Sequence, residues 1–133
     1  MAEHVVARVA EIPPGSRKVV EVAGRSIGVF NVDGTFFALR NRCPHQGGPL
    51  CRGFLMSAVS ADAPGEYVHH ADGAIVRCPW HGWEFDVRTG RSWFDPQRTR
   101  VATYDVRVRE QAEVETYPVS VRDEVVVVEI GRT

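Results

Sequence analysis

The stretch Ser26-Ile27-Gly28-Val29-Phe30-Asn31-Val32-Asp33-Gly34-Thr35-Phe36-Phe37-Ala38-Leu39 reads as two β-strands joined by a two-residue turn. Asp-Gly is a strong signal for a type I′ hairpin turn, which needs positive φ at both central positions. The second strand delivers the chain to Cys43. Working back towards the N-terminus, Val5 to Ile12 alternates as a first strand, and Pro13-Pro14-Gly15-Ser16 supplies the turn chemistry that ends it. Lys18 to Val22 follows and is separated from Ser26 by Ala23-Gly24-Arg25. Working forward, Ala74 to Arg77 is a strand leading to Cys78. Trp83 to Val87 and Ser92-Trp93 bracket Arg88-Thr89-Gly90-Arg91 as a further hairpin. In residues 101–109, Ala102, Tyr104, Val106 and Val108 alternate with Thr103, Asp105, Arg107 and Arg109. Tyr117, Val119 and Val121 repeat that alternation. Val125 to Ile130 is the most apolar strand and the one expected to be most buried. Residues 51–72, with Gly53, Pro64, Gly65 and Asp72, are expected to be irregular. No segment has the periodicity of a helix, so the class is all-β. The echo between Thr103–Glu110 and Thr116–Asp123 is β-patterning rather than a repeat architecture, which needs several copies.

Composition bounds the function. The chain has 133 residues, one domain's worth. It is 44% hydrophobic and 25% charged, ordinary for a globular domain that builds its own core. Sixteen basic against 17 acidic residues give a net charge of −1. That balance argues against nucleic acid, which demands a basic footprint. The longest apolar runs, Val125 to Val128 and Phe36 to Leu39, are far short of the ~20 residues of a membrane helix. Residues 1–15 show no basic start and no apolar run, so no export signal is expected. Three cysteines without an export signal read as cytoplasmic, where thiols more often bind metal or do redox chemistry.

Two short motifs carry the chemistry: Cys43-Pro44-His45-Gln46-Gly47-Gly48-Pro49-Leu50 and Cys78-Pro79-Trp80-His81-Gly82-Trp83. Each follows a predicted strand and offers one thiolate and one imidazole. Pro restricts the backbone, and Gly permits close approach to a metal centre. Structural zinc is one candidate for such a Cys₂His₂ set. Zinc-finger ligands, however, group like with like, as Cys-x₂₋₄-Cys and His-x₃₋₅-His. One Cys and one His per loop suits a two-iron cluster in which one iron takes two Cys and the other two His.

On these motifs the chain resembles the Rieske-type [2Fe–2S] proteins. Cys43-x-His45 and Cys78-x₂-His81, flanked by Gly48-Pro49-Leu50 and Trp80-His81-Gly82, carry the resemblance. The Asp33–Leu39 hairpin and the final Tyr-Pro-Val-x-Val strand extend it. The implied fold is a Rieske-like antiparallel β-sandwich with a small cluster-binding subdomain formed by two loops. Residues 1–131 would form a single domain, with 41–94 as the subdomain and an extended loop near 52–73. The resemblance implies one [2Fe–2S] cluster, with Cys43 and Cys78 on the inner iron and His45 and His81 on the outer, solvent-edge iron. High-potential respiratory members bridge their two loops by a disulfide, and this chain has no cysteine for that bridge. Those members also carry a Ser hydroxyl after the second loop's His-Gly and a Tyr two residues later. Trp83 and Phe85 stand at those places here.

Other residues have bland readings. Cys51 is expected to be a small buried side chain, His69-His70 a solvated pair in a polar loop, and His4 a bystander. Trp80 and Trp83 are expected to shield the cluster from water. Arg88, Arg91, Arg98, Arg100, Arg107 and Arg109 lie among Asp86, Asp95, Asp105 and Glu110, as on a mixed solvated surface.

A Rieske oxygenase needs a second iron, held by two His and a carboxylate. The remaining His4, His69 and His70 do not offer that arrangement, and no Gly-rich nucleotide motif follows a strand. The expectation is a one-electron carrier, not catalytic alone, acting between redox partner proteins: a reductase and a terminal oxygenase or related oxidoreductase. The alternatives are the small subunit of a nitrite-reductase-like or oxygenase complex and, from another class, a zinc-stabilised Cys₂His₂ binding module.

Overall fold

The computed structural model describes residues 2–44, 46–63, 66–93, 95–112 and 122–130. Among the described residues there are nine strands: β1 (Ala2–Arg8), β2 (Arg17–Val22), β3 (Arg25–Val32), β4 (Thr35–Arg40), β5 (Phe54–Ala63), β6 (Glu66–Arg77), β7 (Glu84–Asp86), β8 (Thr103–Ala112) and β9 (Arg122–Ile130). Among the described residues there is no α-helix, only 3₁₀ turns at Val9–Glu11 and Leu50–Arg52.

Six strands form one antiparallel sheet in the order β1-β9-β8-β4-β3-β2, and β5-β6-β7 form a second. The Asp33-Gly34 turn is as expected, with φ of 52° and 92°. Asn31, 3% exposed, holds it: its Oδ1 accepts the Gly34 N–H at 2.8 Å, and its Nδ2 donates to Ile12 O at 2.8 Å. Ala23-Gly24 makes a second two-residue turn of the same hand, with φ of 50° and 76°.

The six-stranded sheet contributes buried residues to two cores. Ile27 and Val29 of β3 point into a core with Ala7, Ile12, Val22, Ala38, Val126, Val128 and Ile130, drawn from strands across the whole sheet. The sheet therefore curls upon itself, and Lys18 Nζ of edge strand β2 reaches Val6 O of edge strand β1 at 3.4 Å. Phe30 faces the opposite way. It meets Leu39, Leu50, Val76, Phe85, Val87 and Val101 in a second core between the two sheets. Cys43, Cys51 and Cys78 all belong to this second core. In β9, Val126, Val127 and Val128 are fully buried, as its composition predicts.

Two expectations are corrected. The first strand ends at Arg8 rather than Ile12, because the chain tightens into a 3₁₀ turn whose Glu11 carboxylate accepts the Arg8 N–H at 2.9 Å. Most of the described residues in 51–72 are strand rather than irregular, and Pro64 and Gly65 lie outside the described residues. After the turn at Leu50–Arg52, β5 and β6 pair from Phe54↔Arg77 to Ala63↔Glu66 as a long hairpin, so the extended loop expected near 52–73 is largely strand. Val59, Tyr67, Val68, Ile75 and Val76 are strand formers, and they outweigh the scattered Gly, Pro and Asp. His69 and His70 consequently lie in β6, opposite Val59 and Ala58, and not in a polar loop. Tyr117, Val119 and Val121 fall outside the described residues.

Candidate metal centre

Two connections project from the core towards each other. The first, residues 43–53, leaves β4 and enters β5. The second, residues 78–83, joins β6 to β7 past the pair Arg77↔Glu84. The two share one backbone design. The Cys43 N–H donates to Gly48 O and the Gly47 N–H to Cys43 O, both at 2.8 Å. The Cys78 N–H donates to Trp83 O at 2.7 Å and the Gly82 N–H to Cys78 O at 2.9 Å. Gly47 and Gly82 have φ of +76° and +74°, a conformation that glycine adopts without Cβ cost.

Asn41 anchors the first loop. Its backbone N–H donates to Ser26 O, its Nδ2 to Ser26 Oγ, and its Oδ1 accepts the Cys51 N–H at 2.8 Å. Leu50 and Cys51 plug the loop's exit into the core. Cys51 sits over Gly28, where an added Cβ would lie 2.5 Å from Cys51 Sγ. Burial pushes the Cys51 thiol up to about 12. It is the inert small core residue that the sequence predicts.

Cys43 and Cys78 are each 2% exposed. The second loop closes onto the first: a Cβ on Gly48 would lie 3.1 Å from Cys78 Sγ and 2.9 Å from the Trp80 ring. His81 is exposed, and Trp80 is 57% exposed. His45 lies outside the described residues. Among the described residues, then, the expected ligands Cys43 and Cys78 come together in the core and His81 sits at the rim. Two soft thiolates inside and imidazole towards solvent is the donor set and polarity that a two-iron centre of mixed ligation requires, so the residues fit the group. His4 belongs to β1, in the other sheet. Trp83 is half-buried and stacks on fully buried Phe85 with ring centroids 6.5 Å apart, while Trp80, 57% exposed, lays its ring on Gly48 beside Cys78 Sγ.

Two residues of the site escaped the sequence reading. Arg42 and Arg77 immediately precede Cys43 and Cys78, and each lays its guanidinium over the positive-φ glycine of its own loop. A Cβ on Gly47 would lie 3.5 Å from Arg42 Nη2, and one on Gly82 would lie 3.0 Å from Arg77 Nε. The signal was present as the tripeptide Arg-Cys-Pro, which occurs at both loops. The arginines singled out from the sequence behave as a solvated surface: Arg88 pairs with Asp86 at 2.9 Å, Arg107 pairs with Glu3, and Arg109 lies 3.5 Å from Glu3.

The Rieske [2Fe–2S] domain family matches residues 2–105, and the chain belongs to that family. One Rieske-type [2Fe–2S] cluster is accordingly its cofactor. Relatives include the 3-phenylpropionate/cinnamic acid dioxygenase ferredoxin subunit of Photorhabdus laumondii subsp. laumondii, 32% identical over 83% of this chain and 90% of its own length. The ferredoxin component of the naphthalene 1,2-dioxygenase system of Pseudomonas aeruginosa is 31% identical over 76% of this chain and 82% of its own length. Among solved structures, the ferredoxin of carbazole 1,9a-dioxygenase from Nocardioides aromaticivorans IC177 superposes with a TM-score of 0.61 over 95% of this chain and 97% of that one, at 23% identity. That likeness shows the shared fold.

Proposed function

We propose that this chain is the ferredoxin component of an oxygenase system, carrying one electron at a time to a terminal oxygenase. The observation that carries the reading is the pair of matched loops, with two buried thiols beneath an exposed imidazole, in a chain that aligns with most of the length of dioxygenase ferredoxins. Cys43 and Cys78 would hold the inner iron, and His45 and His81 the outer one. The cluster supplies reversible one-electron chemistry when bound. The chain's own residues do the rest. The core around Phe30, Leu39 and Phe85 keeps water from the thiolates, the backbone bonds of Gly47 and Gly82 hold the loops, and His81 brings the redox centre to the surface. Thiolates on one iron and neutral imidazoles on the other remove negative charge relative to a four-Cys cluster and raise the potential.

Residues 1–131 serve as one domain, with 41–94 carrying the cluster. Among the described residues no helix is long and apolar enough to cross a membrane, and a cytoplasmic carrier fits the three unbridged cysteines. A reductive titration tests the proposal. The reading expects one electron taken up per chain, followed by reoxidation on adding a purified terminal dioxygenase component. A protein that accepts no electron contradicts it.

A further inference from the structure

The pattern Arg-Cys-Pro-x-x-Gly occurs twice, from Arg42 to Gly47 and from Arg77 to Gly82. In both copies the cysteine and histidine assigned to the cluster lie between the arginine and the glycine. Each guanidinium also reaches the glycine of its own copy. The point where a Cβ of Gly47 would stand has Arg42 Nη2, Cζ and Nε at 3.5, 3.6 and 3.7 Å. The same point on Gly82 has Arg77 Nε, Nη2 and Cζ at 3.0, 3.0 and 3.4 Å. The side chain that each glycine lacks is thus the seat of a guanidinium. Arg77 takes this seat although Glu84 is its cross-strand neighbour, and among the described residues the two form no ion pair. Glu84 and Asp95 line a hollow with His81, so two carboxylates accompany the two guanidiniums around the loops. Net charge therefore gives the arginines no task, whereas their contacts do. No disulfide ties the loops, since Cys43, Cys51 and Cys78 are all free.

We propose that Arg42 and Arg77 are positioning residues: each clasps its own loop from outside, from the residue before the cysteine to the glycine that closes the turn, and so fixes the ligands between them. The inference rests on the electron-carrier reading and adds the residues that keep the ligand geometry constant. Backbone bonds close each loop from within, Gly47 N–H to Cys43 O at 2.8 Å and Gly82 N–H to Cys78 O at 2.9 Å. The guanidinium closes it from without, over the same glycine. Both arginines are exposed, so water competes for them. A guanidinium suits the task because it is planar and more weakly hydrated than an ammonium, and can pack on backbone while its free edge stays in water. Lysine at the same place supplies the charge without the plane. A carrier gains from the clasp, because preorganised groups leave nothing to rearrange at the moment of transfer.

Deuterium uptake by the oxidised, cluster-loaded protein, read by mass spectrometry on peptides from each loop, tests the clasp. Arg42→Lys should speed exchange in residues 43–50 about five-fold, as loss of one modest contact does for a local opening equilibrium, and leave residues 78–83 unchanged. Arg77→Lys should do the reverse. Arg109→Lys, on β8 outside both loops, should change neither. The reduced protein supplies a second reading, because ligands held in a spread of geometries spread the resonance positions of the cluster. Its electron paramagnetic resonance lines should broaden in Arg42→Lys and Arg77→Lys and keep their width in Arg109→Lys. A lysine variant at either loop that sheds its iron on purification, where Arg109→Lys keeps it, also supports the clasp. Iron-loaded Arg42→Lys and Arg77→Lys proteins that match the wild type in either reading overturn the inference, because charge alone would then be the arginines' role. Faster exchange that extends to residues 26–39 overturns it as well, since the arginines would then support the fold at large. If the purified wild type holds no iron and takes up no electron, the carrier reading fails first and this inference with it.

Discussion

Gly47 and Gly82 occupy the same place in two different loops. Each stands four residues after a cysteine and donates its N–H to that cysteine's carbonyl. Their φ values differ by two degrees, +76° against +74°. The equivalence aligns Cys43 with Cys78 but pairs His45 with Trp80 and Gln46 with His81 in the chain. The loops therefore share a backbone, while their imidazoles come from neighbouring, non-equivalent positions. One frame used twice accounts for a ligand spacing that looks irregular in sequence.

Alanine at either glycine should loosen the cluster. A non-glycine residue at positive φ costs about 1–2 kcal/mol. Gly82→Ala should be the worse of the two, since its Cβ would lie 3.0 Å from Arg77 Nε, against 3.5 Å from Arg42 Nη2 for Gly47→Ala. Thermal bleaching of the visible absorption gives the ranking, with Gly82→Ala fading first.

The three cysteines differ in role. Cys43→Ser and Cys78→Ser should each yield colourless protein, because a thiolate ligand is lost. Cys51→Ser should stay coloured, since Cys51 faces Gly28 and the carbonyls of Leu39 and Arg40 rather than the other two thiols. Absorption spectra of the three variants check this directly.

Cys51 also makes a pH prediction. Folded, its thiol ionises near 12, against an ordinary value of 9.0. The folded state therefore holds a proton that the unfolded chain releases first, and stability falls as pH rises from about 9 towards 12. Below about 9 the thiol contributes no pH dependence. Denaturant midpoints across this range should drop less steeply in Cys51→Ala. At pH 8, a thiol reagent should modify none of the three cysteines in the cluster-loaded folded protein and all three once it is unfolded.

The potential should lie in the lower part of the Rieske range, below about 0 mV in a span of about −150 to +300 mV. Hydrogen bonds to the cluster sulfurs stabilise the reduced state, and neither Trp83 nor Phe85 has an O–H to give. Phe85 is fully buried in the same core cluster as Cys43 and Cys78, so Phe85→Tyr adds a hydroxyl to that core. A redox titration near neutral pH should show Trp83→Ser and Phe85→Tyr both moving the midpoint upward.

Much of this was legible in the chain because it is local. Asp33-Gly34 dictates its turn through φ alone, and β9 announces itself by four successive valines. The Cys/His spacing names the cluster chemistry without knowledge of the fold. What escaped depended on the third dimension. The β5–β6 hairpin hid behind turn-forming residues whose strand pairing shows only in the register. Arg42 and Arg77 acquire a role only through the loops, which turn each guanidinium onto its glycine.

Iron and acid-labile sulfide analysis of the purified protein decides between a Rieske cluster and zinc. A Rieske cluster requires two irons and two sulfides per chain and a red-brown colour. Protein expressed in iron-replete cells that is colourless, free of sulfide and loaded with one zinc would contradict the account.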